Sequence, residues 1–254
     1  MIYSKHKGYG SLEWFVKEYS NVTDDPWGLS WRPSQMLRYQ NVLSMMERIP
    51  QPISNVIDIG CATGDFTYLL SRRQPSFQGL LGVDFVESAV ERARRRFPHI
   101  HFVAESIFSL GERYERQFDL IVCLEVLYYL DKDQRSHALT SLRRVLRNGG
   151  YAVFSSFISK PPYFSPDELS DVVGCNFHVI ATQVLHLKMV SFLETFGRRL
   201  DKFMSRLSRG RWNSCCTRVL GRLPLSVIVA IEKWSRTFKG FSASHTIVLA
   251  RANS

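Results

Sequence analysis

Val56-Ile57-Asp58-Ile59-Gly60-Cys61-Ala62-Thr63-Gly64-Asp65-Phe66-Thr67 is the stretch on which the reading turns. A short β-branched apolar run delivers residues 60–64 into a helical pattern, and such a glycine-containing turn lets backbone approach a nucleotide-like ligand closely. A dinucleotide fingerprint needs glycines in the order G-x-G-x-x-G, and Ala62 and Asp65 interrupt that order. By itself the turn points to a nucleotide-like ligand without naming one.

Outward from it, residues 55–157 alternate β-branched runs with helical patterns, the mark of a parallel α/β sheet. Strands are expected at 55–59, 79–84, 100–103, 118–123 and 150–157, and helices at 66–71, 86–97 and 134–147. Asn148-Gly149-Gly150 is expected to end the third helix and turn into the next strand. Helices at 12–19 and 34–49 precede the sheet. Ser165-Pro166-Asp167-Glu168 reads as a helix start, with Ser165 as N-cap and Pro166 at the first helical position. Strands at 177–185 and 244–251 would close the sheet with an antiparallel end.

At 254 residues, with 45% hydrophobic and 22% charged content, the chain suits one soluble domain with a decoration. Met1 to Tyr9 carries no apolar signal core, and no run approaches the length of a spanning helix. A cytoplasmic location is expected, or a peripheral one at the inner face of a membrane. Cys61, Cys123, Cys175, Cys215 and Cys216 have neither CxxC spacing nor nearby His ligands, so reduced thiols are expected rather than disulfides or a metal site.

The net charge of +10 is localised. Residues 186–240 hold twelve basic and three acidic side chains, and the other 199 residues are nearly balanced. Within 187–209, Met189, Phe192, Leu193, Phe196, Leu200, Phe203, Met204 and Leu207 recur at intervals of three and four, with Arg198, Arg199, Lys202, Arg206 and Arg209 on another face. The blandest reading is a cap whose apolar stripe packs on the body and whose basic face is solvated. A second reading lays the helix on anionic lipid or a charged, lipid-linked acceptor. A third, nucleic acid, has no RNA-binding module or aromatic platform behind it. A second helical piece is expected at 223–234.

Four motifs in order then resemble class I S-adenosylmethionine (SAM)-dependent methyltransferases: the run 56–67, Leu80-Leu81-Gly82-Val83-Asp84, Phe102-Val103-Ala104-Glu105-Ser106-Ile107, and Phe118 to Leu130 followed by Asn148-Gly149-Gly150. The resemblance implies a three-layer Rossmann-like α/β fold with a mostly parallel seven-stranded sheet, to which the helical pattern of 187–240 adds an insertion before the last strand. The sequence pattern and the resemblance together divide the chain into an N-terminal helical cap (1–50), a SAM-binding core (51–186 and 241–254) and a basic helical insertion (187–240). The resemblance implies SAM as cofactor, held by Asp58, Gly60, Cys61, Ala62, Gly64, Asp65, Phe66, Asp84, Phe85, Glu105, Ser106, Ile107, Leu124 and Glu125. Asp84 matches the carboxylate that takes both ribose hydroxyls, a task for which two acceptor oxygens side by side are suited. Ala62 stands where the family carries a second glycine, and Ser106 where it commonly carries an adenine-binding Asp, so Ser106, Glu105 or the Ile107 backbone can supply that contact.

Asp24-Asp25-Pro26-Trp27-Gly28 and Glu125-Val126-Leu127-Tyr128-Tyr129-Leu130 are similar to nodulation-type N-methyltransferases, which act on an amino sugar of chitin oligosaccharides. This closer likeness runs from about Tyr19 to Phe157 and stops short of 187–240. The expected reaction is methyl transfer to an amine or hydroxyl of a small molecule, a saccharide or lipid-linked metabolite. Glu125 is the candidate proton acceptor, being just after the fourth strand at the carboxyl edge of the sheet, with Tyr128 beside it; Trp27 and Tyr129 would shape the acceptor pocket. Glu125 has a structural alternative, as a carboxylate that holds a loop. A SAM-binding protein without catalysis is the rival reading. Lys160-Pro161-Pro162-Tyr163 follows the fifth strand rather than the fourth and is read as a loop.

Overall fold

The computed structural model describes residues 8–20, 25, 27–73, 77–207, 215–238 and 242–253. Asp24, Pro26, Arg209, Arg211 and Lys239, which the sequence reading invokes, lie outside the described residues. Helices α1 (Leu12–Ser20) and α2 (Pro33–Met46) come first. The alternating body follows as β1 (Asn55–Ile59), α3 (Asp65–Arg73), β2 (Gly79–Asp84), α4 (Glu87–Arg96), β3 (His101–Ala104), α5 (Leu110–Arg113), β4 (Phe118–Leu124), α6 (Lys132–Val145) and β5 (Leu146–Phe157). It closes with α7 (Glu168–Gly174), β6 (Phe177–Leu185), α8 (Lys188–Leu207), α9 (Cys215–Gly221), α10 (Leu225–Ser235) and β7 (His245–Ala252).

The seven strands form one sheet in the order β3-β2-β1-β4-β5-β7-β6. β1 to β5 run parallel, while β7 is antiparallel to both β5 and β6. The strand period of two sorts side chains between two cores. Ile57, Ile121, Phe154 and Val248 pack towards α5, α6 and α7 with Leu110, Leu139 and Leu169. Val56, Val122, Val153 and Leu249 face the other way, onto Val42, Leu70 and Ile228 of α2, α3 and α10. Both faces are thus covered, as a parallel sheet requires.

Most boundaries shift by one to three residues from the sequence reading, and two of the shifts fall on quoted motifs. The third helix stops at Val145, before the glycines, because Leu146 is already extended (ψ 141) and pairs with Phe118. The glycines instead sit in an irregularity of β5: Leu120 next pairs with Tyr151, and Gly149 takes a φ of 72. α7 begins at Glu168 rather than Pro166, yet the reciprocal contacts of a capping box are present. Glu168 N–H donates to Ser165 Oγ (3.4 Å) and Ser165 N–H to Glu168 Oε2 (3.1 Å).

The larger correction concerns α8. Its apolar stripe faces away from the body: Phe192, Phe196, Phe203 and Leu207 are 58–64% exposed. The buried face is Val190, Glu194, Gly197 and Asp201. Glu194 receives Ser34 N–H (2.7 Å), Ser34 Oγ–H (2.8 Å) and Arg32 Nε–H (2.8 Å), and so caps the N-terminus of α2, where Arg32 offers no side-chain cap. Asp201 accepts from the N–H groups of Cys216 and Thr217 (3.0 and 2.8 Å) at the start of α9. A helix start leaves N–H groups without intrahelical partners, and a carboxylate there is favoured by both hydrogen bonding and the helix dipole. The acids, not the phenylalanines, fix which way α8 faces.

Candidate functional site

β1 ends in the turn that opens the site. Gly60 adopts a φ of 73, and a Cβ on it would fall 2.4 Å from Val126 Cγ2, so no larger residue fits. Ala62 is held at a φ of 50, a left-handed conformation that costs a residue with a Cβ about 1–2 kcal/mol. Asp84, at the end of β2, anchors it: Ala62 N–H donates to Asp84 Oδ2 (2.9 Å) and Val86 N–H to Oδ1 (3.0 Å). Burial pushes the Asp84 carboxyl up to about 6, partly offset by those N–H groups. Asp58 is also buried, receives the Thr67 hydroxyl at 2.6 Å and is pushed up by burial to about 7.

Glu125 follows β4 at a φ of 61. Its oxygens are occupied: Ser155 Oγ–H donates to Oε1 (2.8 Å), Phe157 N–H donates to Oε2 (2.9 Å), and Arg38 Nη1 stands 2.8 Å from Oε1. Burial alone would raise this carboxyl, but the Arg38 guanidinium, with His245 and Ser155, holds it below the usual range. Arg38 is itself 3% exposed, and its charge is likewise kept by Glu125 against the cost of burial. The Arg38 Nη1 contact is an ion pair off the hydrogen-bond axis, and both Nη1 and Nε lack a hydrogen-bond partner among the described residues. One turn earlier on α2, the buried Gln35 Oε1 is also without one.

A cavity of about 500 Å³ joins these groups. Of the residues picked out in the sequence, it is lined by Asp58, Gly60, Cys61, Ala62, Phe66, Asp84, Phe85, Glu105, Ser106, Ile107, Leu124, Glu125, Trp27, Tyr128 and Tyr129. Gly64 and Asp65 are not in its wall. Gly64 holds the turn at a φ of 83, and Asp65 pairs with Arg96 (2.7 Å). Glu105 is engaged by Ser109 Oγ–H (2.6 Å) and by Arg113, with the Ser109 bond the main reason its carboxyl is lowered. The Tyr128 and Tyr129 rings lie 4.4 Å apart, tilted by 46°, and burial raises both phenols, which therefore stay neutral. Trp27 packs against Trp14 (5.6 Å) while also lining the cavity.

The sequence reading missed Arg38, Gln35, Tyr163 and His245, all of which line this cavity. Tyr163 belongs to the Lys160–Tyr163 loop set aside above, and its ring lies 4.9 Å from that of Tyr128. Burial lowers the His245 imidazole to about 4, so it is neutral near pH 7. For Tyr163 and the last strand a signal existed, namely an aromatic flanked by prolines and a His at a strand start. For Arg38 and Gln35 none did, since helical spacing does not say which polar residue meets Glu125 eighty-seven positions on.

Residues 56–150 match the family described as a methyltransferase domain. Nodulation protein S of Rhizobium tropici is 39% identical over 139 residues, which cover 53% of this chain and 56% of that protein. The chain spans little more than half the length of the first curated relatives it matches. Among solved structures, the N-methyltransferase NodS from Bradyrhizobium japonicum WM9, in complex with S-adenosyl-L-homocysteine, superposes with a TM-score of 0.62 at 22% identity, over 97% of this chain and 98% of that one. The [4+2]-cyclase SpnF superposes at 0.60 with 16% identity, over 86% of this chain and 82% of that one. Those structures share the fold. The resemblance to class I SAM-dependent methyltransferases, and to the nodulation type among them, is borne out by the domain match and the R. tropici relative together.

Proposed function

We propose that the chain is a SAM-dependent methyltransferase acting on an amine of a small molecule, with amino sugars as the first class to test. The observation that carries this reading is the pair of buried, unpartnered groups on α2. Arg38 Nε–H is a donor and Gln35 Oε1 an acceptor, both in the wall of the cavity that Asp84 also lines. An amino-acid zwitterion answers both, its carboxylate to Arg38 and its ammonium to Gln35, and buried polar groups demand such partners. Asp84 keeps a lone pair for the ribose hydroxyls beyond the backbone N–H groups of Ala62, Phe85 and Val86 that bind it. SAM carries an amino-acid end, a ribose and a methyl group already activated on a sulfonium.

The chain's remaining work is to bind, orient and exclude water. Glu125 does this as a positioning residue: its oxygens are spent on Ser155, Phe157 and Arg38, so it holds the guanidinium in place rather than taking a proton. The Tyr128 hydroxyl donates to that of Tyr129 (3.4 Å), which leaves the neutral Tyr129 to donate to an oxygen of the acceptor, and the faces of both, with those of Trp27 and Phe85, favour the positive charge that moves from sulfur to nitrogen. An amine attacks with its own lone pair, so no base acts in the bond-making step. The likeness to nodulation protein S and the fold shared with the N-methyltransferase NodS support amine over hydroxyl.

Calorimetry tests the cofactor first. Asp84→Ala is expected to weaken SAM binding by at least about tenfold, and unchanged affinity overturns the ribose assignment. Ribose hydroxyls donate to the ionised carboxylate, so affinity should be full above about pH 6 and fall as the pH drops through that value. The stability of the unliganded protein should run the opposite way. A carboxyl whose pKa is raised by folding stabilises at low pH, and that contribution is lost as the pH rises through about 6 for Asp84 and about 7 for Asp58. Incubation with SAM and chitin oligosaccharides bearing a free amine should yield S-adenosylhomocysteine and one added methyl on nitrogen. Tight SAM binding with no turnover across amine acceptors overturns the enzyme reading.

A further inference from the structure

The three acids of residues 186–240 are all buried: Glu194 at 1%, Asp201 at 6% and Glu232 at 4% exposure. Glu194 and Asp201 cap α2 and α9, and Glu232 accepts from Arg236 Nε–H (2.9 Å) and His186 N–H (3.2 Å). Among the described residues of this segment, the charged side chains left at the surface are cations. On α8 they are Lys188, Arg198, Arg199, Lys202 and Arg206, and beyond it Arg218, Arg222 and Lys233.

Helical geometry, at about 100° per residue, arranges α8 as three faces. Val190, Glu194, Gly197 and Asp201 look inward. About a third of a turn away lie Phe192, Phe196, Leu200, Phe203 and Leu207, 36–64% exposed, and between the two, on the remaining side, lie the cations. Beyond α8 the exposed apolar side chains continue with Val219, Leu225, Val227 and Trp234. An apolar stripe beside a purely cationic one, on a helix not apolar enough to cross a membrane, is the pattern of a helix that lies in the headgroup region.

We infer that α8, continued by α10, is a docking surface for an anionic lipid bilayer, with the phenylalanine stripe inserted and the cations among the headgroup phosphates. Charge complementarity selects this occupant. A second copy of the chain would set cations against cations, and a nucleic acid would answer the cations while leaving five large apolar side chains in water. Ser191, next to Phe192, lines the cavity, and Arg32, paired with Glu194 at 2.7 Å, lines it too. The bilayer face and the cavity wall therefore share a helix. That placement suits an acceptor carried on lipid, a consequence that rests on the methyl-transfer reading; the docking itself does not.

Vesicle flotation of the full chain tests it, using phosphatidylcholine alone and phosphatidylcholine mixed with phosphatidylglycerol. Binding is expected only to the mixed vesicles and should weaken as salt rises. The triple change Phe192→Ser, Phe196→Ser, Phe203→Ser should reduce it at least about tenfold, as should Arg199→Glu with Lys202→Glu, while circular dichroism melting stays near that of the parent. Three outcomes overturn the proposal: equal flotation with both vesicle types, no flotation, or a dimer in sedimentation that the triple change dissolves without any lipid binding. Retention of SAM binding by the non-floating variants keeps this outcome separate from the fate of the methyl-transfer reading.

Discussion

α4 and α8 are both amphipathic, and they bury opposite kinds of residue. α4 puts Ala89, Val90 and Ala93 inside and leaves Glu87, Glu91, Arg94 and Arg95 in water. α8 puts Glu194 and Asp201 inside and leaves its phenylalanines out. Periodicity reports that a helix has two faces; what its neighbours lack decides which face turns inward. α4 lies against β2 and β3, where Phe102 of β3 and Cys61 of the turn after β1 ask for apolar contact. α8 lies against the N-termini of α2 and α9, whose N–H groups ask for acceptors.

The contrast breaks most sharply if a charge is placed on each apolar face. Ala93→Glu should cost about 3 kcal/mol or more, because the Ala93 methyl lies against Gly64 and the buried Phe102 cluster with no partner for a carboxylate. Phe196→Glu should stay within about 0.5 kcal/mol, since the ring is already 58% exposed. Equal losses in urea melts would mean that α8 packs by its apolar stripe after all. Removing an inward acid comes next in size. Glu194→Ala strands Ser34 N–H and Arg32 and should cost about 2–3 kcal/mol, read as a lower urea midpoint. Asp201→Ala should cost about 1–2 kcal/mol, because the N–H groups it serves begin a helix of only seven residues. A result in which both acids can be removed freely while Phe196→Glu unfolds the protein would reverse the assignment of faces.

The same contrast explains how much could be read in advance. The strands at 55–59 and 79–84 were legible to the residue, since a buried parallel strand is a run of β-branched and apolar residues ended by Gly or Asp; the antiparallel edge strand at 177–185 was legible from its β-branched residues alone. The ligand turn and Asp84 were legible because one local stretch sets both strand end and turn. Glu125 was found, but not its company: Arg38 lies eighty-seven residues earlier and His245 on the final strand, and no spacing rule joins them. Glu194 was passed over for the same reason, its partner Ser34 being 160 residues away. Long-range polar pairing leaves no local periodicity, so burial of charge was the part the sequence could not disclose.

β7 follows the other six strands in the chain and sits between β5 and β6, with Gly10 and His245 both in the wall of one cavity. Synthesis therefore releases β1 to β6 before the strand that bridges β5 and β6 exists. Until then the antiparallel edges of β5 and β6 have no mate, and α8 has been made while part of the sheet behind it is still open. The pocket is thus completed only once β7 has joined the sheet. A chaperone or a lipid surface meeting that intermediate would find α8's phenylalanines together with unpaired strand edges, a more adhesive object than the finished protein.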